Sequence, residues 1–268
     1  MMCDPCEMAG FEVQADYKDL HHDGRNWHEM FGGSSGPDSK KLGGRCCSAL
    51  AYVLFRWLMA GLSTFALVYQ LKWTHEIDVG FYPTEMMHWT VLVCLLYFLL
   101  AALLTTMAVF AEGEVAAEMP PLVLLCSLLY GMALPLALVN ALVYWLVLYP
   151  GTLHAMHVVV TAGPAGLMLL DKLVNRQPYY AGFHGLLGAA TCWSYLLFTV
   201  LYWAFGGKDR VGHRYIYKVL DWGTAYQSGK MVFVLLLLIF PLFFVTFWFL
   251  VWARRRVIIA MKPPLLSA

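Results

Sequence analysis

Val91-Leu92-Val93-Cys94-Leu95-Leu96-Tyr97-Phe98-Leu99-Leu100-Ala101-Ala102-Leu103-Leu104 carries no charge, and the apolar stretch around it extends over 86–110. A helix rises about 1.5 Å per residue, so about 20 residues cross the hydrocarbon core of a bilayer. No period-two alternation runs through the stretch, which argues against a strand of a membrane barrel. Working outward, further apolar spans lie at 49–71, 120–149, 153–170, 183–205 and 231–252. The sequence predicts an all-α polytopic membrane bundle of six transmembrane helices.

Composition agrees. Of 268 residues, 60% are hydrophobic and 13% charged, against about 45–50% and 25% in soluble domains. Lys plus Arg number 18 and Asp plus Glu 17, so no basic excess points to nucleic acid. Residues 1–47 are rich in Gly, Asp, His and Lys and are expected to be a disordered cytoplasmic tail without a secretory h-region. Residues 48–253 form the expected transmembrane domain and 254–268 a short basic tail. Counting Lys and Arg near the helix ends gives nine on the side of the N-terminus and six opposite, with Arg254-Arg255-Arg256 the clearest group. Both termini are therefore expected in the cytoplasm. The expected location is an integral, multi-pass position in the plasma membrane or an endomembrane.

The cysteines read as packing residues rather than disulfides. Cys94, Cys126 and Cys192 fall within apolar spans. Cys46-Cys47 precedes the first span, a setting for reversible palmitoylation. Cys3-x-x-Cys6 has metal-ligand spacing and His21, His22 and His28 follow it, but a single such pair in a polar tail is a weak signal, so no metal and no cofactor are expected.

Polar residues at depth are costly in a bilayer and carry the functional reading. Arg56 lies seven residues into the first span, and Asp171 closes the fourth at the same end. They are expected to form a structural ion pair, snorkelling of Arg56 being the alternative. At the other end, His88 and Thr90 open the second helix, His154 and His157 open the fourth, and Thr84 lies just outside. A hydroxyl with an imidazole suits acyl transfer, histidines on facing helices suit haem or a metal, and interfacial hydrogen bonding is the bland alternative. His184 starts the fifth helix at the opposite end and is not expected to join them. Ala162-Gly163-Pro164-Ala165-Gly166, Pro135 with Asn140, and Gly182, Gly185 and Gly188 read as points of close helix approach or as the lining of a lipid-accessible cavity.

Several stretches resemble the rolling stone-like proteins, relatives of the androgen-induced membrane hydrolases. They are Phe55-Arg56-Trp57, Tyr144-Trp145, Leu148-Tyr149-Pro150, Leu167-Met168-Leu169-Leu170-Asp171, Pro178, His184 and Tyr202. Gly206-Gly207-Lys208-Asp209 and Tyr215-Ile216-Tyr217-Lys218-Val219-Leu220-Asp221-Trp222 complete the set. The resemblance implies a six-helix fold and, for the androgen-induced branch, hydrolysis of fatty acyl esters by a threonine and a histidine. In strict register those two positions hold Met87 and Thr161, the latter ten residues before Asp171. The pair is therefore expected to be displaced or lost, leaving a lipid-related pseudoenzyme. A rebuilt site would use Thr90 or Thr84 as nucleophile, His157 as base and His154 or His88 as orienter. The competing readings are a structural or partner-binding subunit, and a haem- or metal-binding bundle using His88 with His154 or His157. Membrane lipids and membrane proteins are the expected partners.

Overall fold

The computed structural model describes residues 43–77, 84–110, 121–149, 151–174, 181–208 and 212–234. Helix α1 spans Gly43–Ile77 and α2 spans Met86–Phe110. Helix α3 runs Pro121–Leu148, its last turn being a π turn over Tyr144–Leu148. Helix α4 runs Ala155–Val174 and holds a second π turn, Val158–Ala162. Helix α5 spans Ala181–Ala204, and after a connection containing the 3-10 turn Lys218–Leu220 comes α6, Ala225–Val234. No strand occurs among the described residues.

Five of these helices are long and apolar enough to cross a membrane. The sixth expected span begins within α6, and its remainder lies outside the described residues, as do residues 1–42, the acidic loop with Glu112, Glu114 and Glu118, and Arg254–Arg256. Helix α1 has 35 residues and is longer than its apolar span.

Once in lipid, helices gain little from the hydrophobic effect and associate by close packing and hydrogen bonds, for which small residues are suited. The core follows that rule. Ala101, Ala102, Ala133 and Ala137 are buried between Tyr97, Phe98, Tyr130, Leu134 and Met168. Helix α1 turns the opposite kind of surface outward, with Leu54, Leu58, Leu62 and Phe65 exposed along one side. In a bilayer that stripe meets acyl chains.

Proline does not break the bundle. Helix α3 continues through Pro135, and α5 accommodates the ring with Gly188, where a Cβ would stand 2.5 Å from Pro135 Cγ. A lower-lying counterpart occurs at Gly131, where a Cβ would meet His184 Cδ2 at 2.8 Å. In α4 the π turn Val158–Ala162 immediately precedes Gly163-Pro164. Proline has no N–H to give, and a wider turn absorbs the lost bond.

Gly188→Ala should therefore lower the melting temperature, by an overpacking penalty of about 1–3 kcal/mol. Gly166→Ala, where nothing lies within 4 Å of the new methyl, should not. Thermal unfolding of the detergent-purified variants checks both.

Candidate functional site

Polar side chains inside the bundle gather at its two ends. At one end Arg56 Nη1 is paired with Asp171 Oδ1, both side chains fully buried. Arg56 Nη2 donates to the Tyr52 hydroxyl one turn earlier on α1, at 2.7 Å. The Tyr97 hydroxyl of α2 donates to Asp171 Oδ2, also at 2.7 Å. The cluster continues through rings: Tyr130 of α3 packs against Tyr97 at 5.3 Å and edge-on to His184 of α5 at 5.8 Å. The Lys172 ammonium lies over the Tyr130 ring. His184 Nε2 and Ser127 Oγ are 3.1 Å apart and share one hydrogen, its direction set by the tautomer. One polar cluster thus joins α1 to α5. Tyr97, Ser127, Tyr130 and Lys172 were not singled out from sequence. The available signal is position: Tyr97, Ser127 and Tyr130 lie in apolar spans and Lys172 just beyond one, near the depth of Arg56 and Asp171.

The Tyr97–Asp171 bond also sets the register of the parallel helices α2 and α4. Ten residues back along each lie Met87 and Thr161, about 15 Å down both axes and so at one level. Met87 packs on the apolar group of Ala66, Val91, Met156 and Val160. The Thr161 hydroxyl donates to the His157 carbonyl at 2.5 Å, inside the π turn. At the two positions where the resemblance implies nucleophile and base stand a thioether in an apolar contact and a backbone-bound hydroxyl.

The shifted residues are spread out. Thr90 is buried and its hydroxyl donates to the Met86 carbonyl at 2.9 Å. By the same register it stands seven residues deeper than His157, about 10 Å along the axis, whereas proton transfer needs about 3 Å. Thr84 is near the level of His157, and its carbonyl accepts from the Tyr195 hydroxyl of α5 at 2.9 Å. His88 is buried. His154 is exposed ahead of α4, its ring edge-on to His157 at 5.4 Å and 6.5 Å from Trp73. His157 is half-buried, with the Tyr144 ring at 5.2 Å. His88 stands five and eight residues out of level with His157 and His154. Among the described residues no group of three or more His, Cys, Asp or Glu side chains could hold a metal.

The structure brings together a different set. Asn140 Nδ2, the Tyr144 hydroxyl and His157 Nδ1 are buried without a hydrogen-bond partner. Tyr144 opens one π turn and His157 immediately precedes the other.

A family model described as "Protein rolling stone" matches residues 47–262. The chain belongs to that family. It is 28% identical over 187 residues to the protein rolling stone of Drosophila melanogaster, covering 65% of this chain and 67% of that relative. No solved structure matches. A long connection follows α5, and its residues build a clasp. The Tyr202 hydroxyl donates to the Lys208 carbonyl at 2.7 Å. Gly207 lies so close to the Tyr202 ring that a Cβ would stand 2.5 Å from it, and Gly206 has φ +75°. The Tyr217 hydroxyl accepts from the Met86 N–H at 3.1 Å, Trp222 Nε1 donates to Thr199 Oγ1 at 3.2 Å, and Asp221 Oδ1 accepts from the Gly223 N–H at 2.9 Å. Burial, then the nearby Glu85, pushes the Tyr217 hydroxyl above the ordinary tyrosine range. It stays protonated at any physiological pH.

A chain of this family is an integral, multi-pass membrane protein, and its two polar ends make separate predictions. Replacing Arg56 or Asp171 alone by leucine should cost about 3–5 kcal/mol, because the partner charge is left buried and uncompensated. The double replacement should lose much less than the sum, read as monodisperse protein recovered after solubilisation. Tyr217→Phe should cost about 1 kcal/mol and no more, read from the same melts.

Proposed function

We propose that this rolling stone-family protein has a lipid-related role in the membrane without hydrolysing lipid esters. The observation that carries the reading is the pair of positions Met87 and Thr161. A thioether cannot serve as the acyl-transfer nucleophile that the resemblance implies. The threonine that faces it at the same level gives its hydroxyl hydrogen to the His157 carbonyl and has no basic nitrogen to offer. The rebuilt pair, Thr90 with His157, is disfavoured by about 10 Å of axial separation and by the bond from Thr90 to the Met86 carbonyl.

The lipid part of the reading is supported by the surroundings. Exposed Leu146, Val147, Leu153 and Val158 surround the π turns at the same end of the bundle. Polar atoms of Asn140, Tyr144 and His157 lie just behind them without partners. An apolar rim with unmet polar groups inside suits an amphiphile rather than an ion.

Labelling of the solubilised, folded protein with a fluorophosphonate probe tests the absence of hydrolysis. No label is expected on the wild type. Label that disappears in Thr90→Ala or Thr84→Ala and also in His157→Ala would establish a rebuilt threonine–histidine hydrolase instead.

A further inference from the structure

Three side chains on two neighbouring helices each leave one buried hydrogen-bonding atom unmet. Asn140 and Tyr144 are four residues apart on α3 and lie on one face, 6% and 7% exposed. Tyr144 rests against His157 of α4 with ring centroids 5.2 Å apart. Because α3 and α4 run antiparallel, stepping one turn from that contact brings Asn140 to the level of Thr161. A buried polar atom without a partner costs about 1–3 kcal/mol, and natural structures carry few of them. Two such atoms on touching residues and a third one helical turn away point to a missing partner.

The backbone points to the same place. Tyr144–Leu148 and Val158–Ala162 are both π turns, one on each helix. Such turns are rare and concentrate where proteins bind or react. Each widens its helix and turns large apolar side chains outward, Leu146 and Val147 on α3 and Val158 on α4.

The donors and acceptors select the guest. Asn140 Nδ2 donates, the Tyr144 hydroxyl does either, and His157 Nδ1 accepts in one tautomer. An alcohol hydroxyl matches this set, taking hydrogens from Asn140 and Tyr144 and giving its own to Nδ1. An ester carbonyl only accepts and would leave Nδ1 unmet. A carboxylate would bring a charge that none of the three neutralises, at high cost away from water. The exposed apolar rim supplies the bilayer contact for the rest of the molecule.

We infer that Asn140, Tyr144 and His157 form a binding site for the hydroxyl of a neutral lipid alcohol, such as a fatty alcohol, monoacylglycerol or sterol. The site rests on the lipid-related role proposed above and gives that role its ligand class. Water presents the same hydroxyl chemistry and is the other source the test must separate.

The full chain in lipid nanodiscs is exposed to a photoactivatable, alkyne-tagged long-chain fatty alcohol, with the matching fatty acid and methyl ester in parallel. The alcohol is expected to label α3 and α4 saturably and to be displaced by its untagged form. Affinity should fall about fivefold in Tyr144→Phe and in Asn140→Leu, as the loss of one ordinary hydrogen bond requires. Tyr144→Phe removes a hydroxyl that has no partner, so its melting temperature without added alcohol should not fall, while the upward shift on adding the alcohol should shrink. Alcohol labelling equal in wild type and both variants overturns the site. If the acid and ester bind as well as the alcohol and depend on the same residues, the hydroxyl assignment fails and the lipid-related role stands. Saturable labelling by none of the three overturns the site, leaves water as the occupant and removes this support for the lipid-related role.

Discussion

A guanidinium and a carboxylate stay ionised within hydrocarbon only when each supplies what water no longer does. Arg56 and Asp171 meet much of that condition together, and Tyr52 and Tyr97 each add a hydrogen bond. The arrangement constrains more than two side chains. Arg56 is on α1, Tyr97 on α2 and Asp171 on α4, so a slip of α1 or α4 by a turn would strand a charge and a slip of α2 would take a hydrogen bond from the carboxylate. Tyr130, Ser127 and His184 carry the same depth marker to α3 and α5. Apolar packing among alanines tolerates sliding far better than this does. The buried ions therefore fix register, and every level assigned elsewhere in the bundle is counted from them.

That count explains the other end. Met87 and Thr161 face the same level because each lies ten residues from a member of the Tyr97–Asp171 bond. Those two positions hold a thioether in an apolar contact and a hydroxyl bonded to a backbone carbonyl. Polar capacity has instead accumulated one step toward α3, at Asn140, Tyr144 and His157. The rolling stone motif after α5 has a mechanical part in this, since Tyr217 is tied to the first residue of α2.

Much of the fold was legible in the sequence because lipid imposes a length and a polarity on each helix. The spans at 86–110 and 120–149 match α2 and α3 within a residue or two. Arg56 and Asp171 could be set at one end by counting residues along alternating helices, and the structure joins them. The candidate site was less legible. The sequence has His154 and His157 both opening the fourth helix, yet His154 precedes the helix and only His157 lies in it. In the sequence Asn140 stands out only as a polar residue near Pro135, and Tyr144 only as part of the family resemblance. Nothing in their spacing reveals that both lack a partner, because that depends on two π turns which local propensity does not encode. Thr90 looked available by helical face, but its hydroxyl is taken by a carbonyl four residues back, as threonines in apolar helices commonly do.

Helix α1 spans 35 residues, about 52 Å, against a hydrocarbon thickness of about 30 Å. It is fastened to its neighbours at Arg56 and again where Trp57 Nε1 donates to Thr106 Oγ1 at 3.0 Å. The surplus of about 20 Å must leave the hydrocarbon, and the depth at which the guanidinium is held sets how that surplus is shared between the two ends of the helix.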